Sequence, residues 1–139
     1  VVTHATNSCS VVYKMHIEGQ SMLLLGDATE IAGDTLQQQF GDYVKSDIMQ
    51  IAHHGFGGGT VSLYKRADPT YVIHTTAWAS YFSTSDYDHN KWVLKESPNV
   101  KLVAVSGFGT YTMRLPFEIE DGAYARVPDR RWKNPEFWN

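Results

Sequence analysis

The stretch Asp47-Ile48-Met49-Gln50-Ile51-Ala52-His53-His54-Gly55 decides how this chain is read. Its apolar body predicts a strand, and the glycines Gly55, Gly57, Gly58 and Gly59 end it. Two imidazoles are therefore delivered to the carboxyl end of a strand. Just upstream, Met22 to Leu25 is apolar throughout, as expected of a strand covered on both faces, and it stops at Gly26-Asp27. Before it, Val11, Tyr13, Met15 and Ile17 alternate with Val12, Lys14, His16 and Glu18, the period of two of a half-covered strand, and Gly19-Gln20 turns the pair into a hairpin.

Between the two apolar strands, Ile31, Leu36, Phe40 and Val44 recur at four- and five-residue steps, predicting a helix from Ala28 to about Val44, frayed at Gly33 and Gly41. Beyond the glycines, a short helix at Val61 to Arg66 leads through Asp68-Pro69 to a strand at Tyr71 to Thr75, spacing that suits a β-α-β crossover. Ala77 to Tyr87 reads as a polar and aromatic loop, and Asn90 to Glu96 as a helix starting at Asp88. Lys101 to Val105 and Tyr111 to Leu115 read as a closing hairpin around Gly107-Phe108-Gly109. The order β-β-α-β-α-β-α-β-β predicts an α/β (α+β) fold, a mixed β-sheet with helices packed on it. Residues 1–120 form one folding unit on this reading, and 121–139 an irregular tail.

At 139 residues and 42% hydrophobic content, the chain is large enough to bury a core without covalent staples, and the single cysteine, Cys9, excludes an internal disulfide framework. No apolar run approaches 18 residues and the first ten lack a basic, apolar leader, so neither a membrane segment nor a signal peptide is expected; the compartment stays open. A formal net charge of −3 gives no global attraction for nucleic acid, whose binding would have to be local.

The chemistry concentrates at two strand ends, Gly26-Asp27 and His53-His54-Gly55. If the strands are parallel neighbours, a carboxylate and an imidazole emerge on the edge where open α/β sheets place ligands, and that donor pair suits zinc or another borderline divalent ion. Simpler roles compete. Asp27 with Glu30 forms a helix-capping pair, and His53-His54 beside glycines make a turn.

The succession Asn7-x-x-Ser10, apolar hairpin, Leu25-Gly26-Asp27, helix, and Asp47 to Gly55 resembles the metallo-β-lactamase superfamily, closest to the soluble hydrolase domain of DNA-uptake competence proteins. The resemblance spans roughly residues 5 to 115 and matches the second half of that fold. It implies half of an αββα sandwich in which Asp27 touches or bridges the metals, His54 is the last histidine ligand and His53 its neighbour or alternate. It also implies two divalent ions in the complete protein, Zn first with Mn or Fe as substitutes, hydrolysing an ester, amide, thioester or phosphodiester. The superfamily's His-x-His-x-Asp-His signature is absent from these residues. The expectation is therefore a C-terminal portion of a longer protein, inactive alone and completed by an N-terminal half.

His89, in Asp88-His89-Asn90, sits where relatives carry a site histidine, although Asp88 as a helix N-cap accounts for the segment too. Gly55 and Phe56 complete the residues expected to line the site. His74, inside an apolar run, reads as a core histidine, and His4 and His16 as solvated. The loop Phe56 to Thr60 exposes backbone N–H groups but lacks the lysine of a phosphate-binding P-loop, which removes a nucleoside-triphosphatase reading. Ala77 to Phe82 offers rings for stacking, and Arg126 to Lys133 is locally basic; sealing a core edge and lying in solvent are their simpler roles. The competing class is a non-catalytic scaffold, a half-domain that docks on a partner segment or on itself through an apolar face.

Overall fold

The computed structural model describes residues 6–118. A hairpin of β1 (Tyr13–Ile17) and β2 (Gln20–Leu24) opens the fold, followed by α1 (Glu30–Phe40), β3 (Ile48–Gln50), α2 (Val61–Ala67) and β4 (Tyr71–His74). Then come α3 (Trp78–Thr84), α4 (Asp88–Lys91) running into a π-helical turn at Trp92–Glu96, and β5 (Leu102–Val105). The five strands make one sheet in the order β1-β2-β3-β4-β5. β1 and β2 are antiparallel and every later pairing is parallel, which confirms the mixed sheet with helices packed on it.

Because β2 to β5 lie side by side in chain order, right-handed crossovers return every helix to the same face. The register shows the division. Leu23, Met49, Val72 and Val103 stand in one row and join the main core with Leu63, Tyr64 and Ala67 of α2, Tyr81 of α3 and Val93 and Leu94 of the π turn. Met22, Ile48, Tyr71 and Leu102 stand in the adjacent row and point the other way. That second cluster contains no helical residue; Met113, Leu115 and Phe117 pack against it.

Caps place the helix ends. Thr29, in extended backbone, accepts from the Ala32 N–H to start α1, and Thr60 does the same for Leu63 to start α2. Gly41, at φ 51°, ends α1 in a conformation that other residues adopt reluctantly, and the chain continues as a 3-10 turn over Gly41–Val44.

Two expectations are corrected. Ala77 to Tyr87 is not loop throughout: Trp78, Tyr81 and Phe82, at helical spacing, lie in α3, where Tyr81 and Phe82 pack edge-on against each other and against Phe108 with centroids 5.4 to 5.9 Å apart, and only the turn at 85–87 follows it. Tyr111 to Leu115 is not a strand beside β5, which pairs in parallel with β4. The apolar alternation of this segment instead covers the sheet's helix-free face, where Gln20 exchanges hydrogen bonds with the Phe117 backbone at 2.6 and 2.7 Å. The tail expected over 121–139, with its basic stretch, lies outside the described residues. No helix among them is long and apolar enough to cross a membrane.

Candidate metal centre

β2 and β3 part company after the Leu23–Met49 pair, and the gap is closed by a side chain. Gln50 accepts from the N–H groups of Leu25 and Gly26 at 3.0 and 2.9 Å, and its amide donates to the carbonyls of Gly26 and Ile51. Backbone bonds then sew the two strand ends together: His53 N–H to Gly26 O at 2.9 Å, Gly59 N–H to Ala28 O at 3.1 Å, and a bridge between Thr29 and Gly58. A Cβ on Gly58 would lie 2.5 Å from His53 Cβ and 2.8 Å from Ala28 O, so the loops approach this closely only with glycine there.

The chain turns at the histidines themselves. His53 (φ 48°, ψ 42°) and His54 (φ 53°, ψ 15°) are consecutive left-handed residues, followed by Gly55 at φ 85°. Two such non-glycine residues cost about 2–4 kcal/mol together, which the surrounding contacts must offset. The strain sets the two imidazoles on different courses.

His54 meets Asp27. Nε2 lies 3.5 Å from Asp27 Oδ1, with the two side chains 52% and 43% exposed, so both are half-open to solvent and to a ligand. Nδ1 lies 2.5 Å from Thr75 O; a carbonyl only accepts, so Nδ1 carries a proton, and in the tautomer with a single proton Nε2 is the nitrogen that offers a lone pair on the side of Asp27. This is the arrangement that orients metal-binding histidines. The spacing fits as well: two ligand atoms each about 2.1 Å from a tetrahedral ion stand roughly 3.4 Å apart. Asp27 is not the helix cap allowed by its spacing to Glu30, since Thr29 holds that position, and the carboxylate is left at the edge. The residues present thus fit two ligands of a divalent ion. Among the described residues no third His, Cys, Asp or Glu joins them.

His53 points elsewhere, its Nε2 accepting from the Asn7 amide at 3.1 Å. Gly55 is buried under the turn, while Phe56 is 48% exposed and lines, with Gly57, Ser8, Thr29, Glu30 and Ile31, a cleft of about 330 Å³ flanked by the same two loops. His89 sits on α4 in a tilted ring contact with Tyr87; among the described residues its buried Nε2 has no hydrogen-bond partner and it is not grouped with Asp27 and His54. Asp88 is not the cap of α4; Tyr87 is, with no side-chain cap bond. His74 is fully buried, as expected of a core histidine, and burial pushes its pKa down to about 4 despite the bond that Nε2 makes to His54 O. His16 is exposed, and His4 lies outside the described residues.

The sequence gives no site role to Gln50 or Thr75, and Asn7 enters it only through the Asn7-x-x-Ser10 motif of the resemblance. Gln50 is a polar residue between Met49 and Ile51, three residues before His53, and that break in the apolar run is its signal in the sequence. Thr75 contributes through a backbone carbonyl, which leaves no mark on residue type. The chain matches no protein-family model, no curated protein and no solved structure.

Proposed function

We propose that this chain supplies part of a divalent-metal centre of a hydrolase of metallo-β-lactamase type, with Asp27 and His54 as two of its ligands and zinc as the first candidate. The observation that carries the proposal is the 3.5 Å approach of Asp27 Oδ1 to His54 Nε2 together with the Thr75 carbonyl that fixes the tautomer. The remaining ligands of a catalytic site, which needs about three from protein, come from outside this pair. A bound ion of this kind acidifies water and stabilises negative charge developing on a phosphoryl or acyl oxygen. The chain's own part is to present an anionic oxygen and an imidazole lone pair at one fixed point, and to offer Phe56 and Ile31 as an apolar wall for the body of a substrate, a phosphodiester being the preferred class.

Isothermal titration of the chain with Zn²⁺ tests the proposal. Binding that falls at least about tenfold in both Asp27→Ala and His54→Ala supports it; affinity unchanged in both variants overturns it. Hydrolysis of bis(p-nitrophenyl) phosphate, with the metal-loaded chain alone and with added partner segments, then tests the substrate class.

A second reading, a non-catalytic interaction half-domain, is favoured by the helix-free sheet face, whose cover among the described residues is the segment carrying Met113, Leu115 and Phe117. Concentration-dependent self-association of a chain indifferent to Zn²⁺ supports that reading over the first.

A further inference from the structure

We infer that His74 and Asn90 are positioning residues that lock the left-handed His53-His54-Gly55 turn from below and so hold the His54 ring against Asp27. Both side chains are fully buried, and both donate to the main chain of the turn rather than to each other. His74, at the end of β4, donates from Nε2 to His54 O at 3.0 Å; Asn90, on α4, donates from Nδ2 to Gly55 O at 2.9 Å and to Thr84 O at 2.9 Å. Successive carbonyls of a strained turn are thus held from two different elements. A third contact explains why the last residue is glycine. A Cβ on Gly55 would stand 2.8 Å from His74 Nε2, 2.9 Å from Asn90 Nδ2 and 3.1 Å from Thr84 Oγ1, so the donors occupy the space that a side chain would need.

Burying two polar side chains is costly unless their hydrogen bonds are made, and here they are made incompletely. His74 Nδ1 and Asn90 Oδ1 are both buried with no hydrogen-bond partner among the described residues. An apolar residue at either position would avoid that cost. What the pair contributes instead is direction: each donor holds a carbonyl whose peptide plane sets the backbone around His54, and through it the angle at which the ring meets Thr75 O and Asp27. The turn clamp rests on geometry alone, whereas its consequence for an ion rests on the function proposed above.

The test uses His74→Phe, which keeps a ring and removes the donor, His74→Gln, which restores an N–H at similar reach, and Asn90→Ala. Two readouts are taken on the full chain at about pH 8, where an ordinary imidazole is neutral: the ¹⁵N resonances of the His54 ring without metal, which report its tautomer, and the affinity for Zn²⁺ alone. The expected result is a Nδ1-protonated His54 in the parent and in His74→Gln, a tautomer mixture in His74→Phe, and Zn²⁺ binding weakened about 10- to 100-fold in His74→Phe and recovered in His74→Gln. An unmoved His54 resonance in folded His74→Phe overturns the inference. If His74→Phe does not fold, Asn90→Ala decides in the same way, a moved resonance supporting and an unmoved one overturning. If the parent binds no Zn²⁺, the metal reading fails by itself, and the ring resonances alone decide the positioning role.

Discussion

Two aspartates mark opposite ends of the same pair of strands, and the structure treats them differently. At the entry to β3, Asp47 is consumed by the fold: its Oδ2 accepts from the Ser21 N–H at 2.7 Å and the Ser21 hydroxyl at 2.8 Å, while its own N–H donates to Ser21 Oγ. Burial raises the Asp47 carboxyl, but the Ser21 bonds and the charge of Lys14 outweigh it and hold the pKa below the usual carboxylate range. Lys14 is itself pushed down by burial, partly opposed by Asp47, and donates to the carbonyls of Tyr43 and Lys45. At the exit of β2, Asp27 has no such knot. Its side-chain partner among the described residues is the His54 imidazole, at a distance better suited to sharing an ion than to a direct bond. The amino edge of the sheet spends its carboxylate on stability; the carboxyl edge keeps one in reserve, on a backbone that is strained and braced.

The contrast breaks most severely where the loops touch. Gly58→Ala is expected to cost more than about 3 kcal/mol or abolish folding, because the new methyl collides with backbone and with His53; a thermal melt reads this directly. Next comes acid. The His74 pKa of about 4 lies below the ordinary 6.5. Between those values the unfolded chain binds a proton that the folded chain refuses, so stability falls as pH drops from about 6.5 to about 4, by roughly 3 kcal/mol, and is unaffected by this group above that window. Urea titrations across pH measure the slope, and His74→Gln should lose it.

Smaller effects sharpen the comparison. Asp47→Ala should destabilise the chain by about 2 kcal/mol, since it strips a charged acceptor from two partly buried donors. Asp27→Ala should leave stability within about 0.5 kcal/mol while removing Zn²⁺ affinity. Equal losses of stability in the two variants, by chemical denaturation, would erase the distinction between a structural and a ligand-binding carboxylate.

Much of this was legible in the residues. Apolar runs ending in Gly26-Asp27 and His53-His54-Gly55 located β2 and β3, and a helix between them is compatible with the parallel pairing, found in the structure, that brings Asp27 to His54. What was hidden depended on tertiary packing. Trp78, Tyr81 and Phe82 have the spacing of a helix, but the phenyl ring of Phe108 that stabilises it arrives more than twenty residues later. Met113 and Leu115 alternate as a strand would, yet alternation does not distinguish pairing along a sheet edge from lying across its face. The glycines beside His53-His54 marked a turn, but not its left-handed histidines, since the donors that hold them come from β4 and α4.

The parallel neighbourhood of β2 and β3 has one last effect. Asp27 and His54 are remote along the polymer and adjacent only once α1 has carried the chain back across the sheet. A cation gripping both would act as a removable staple over that crossover, closing a long loop in the folded state and leaving it open in the denatured one. Chelation would then loosen the first half of the sheet ahead of β4 and β5, and amide exchange would show the order in which the strands let go.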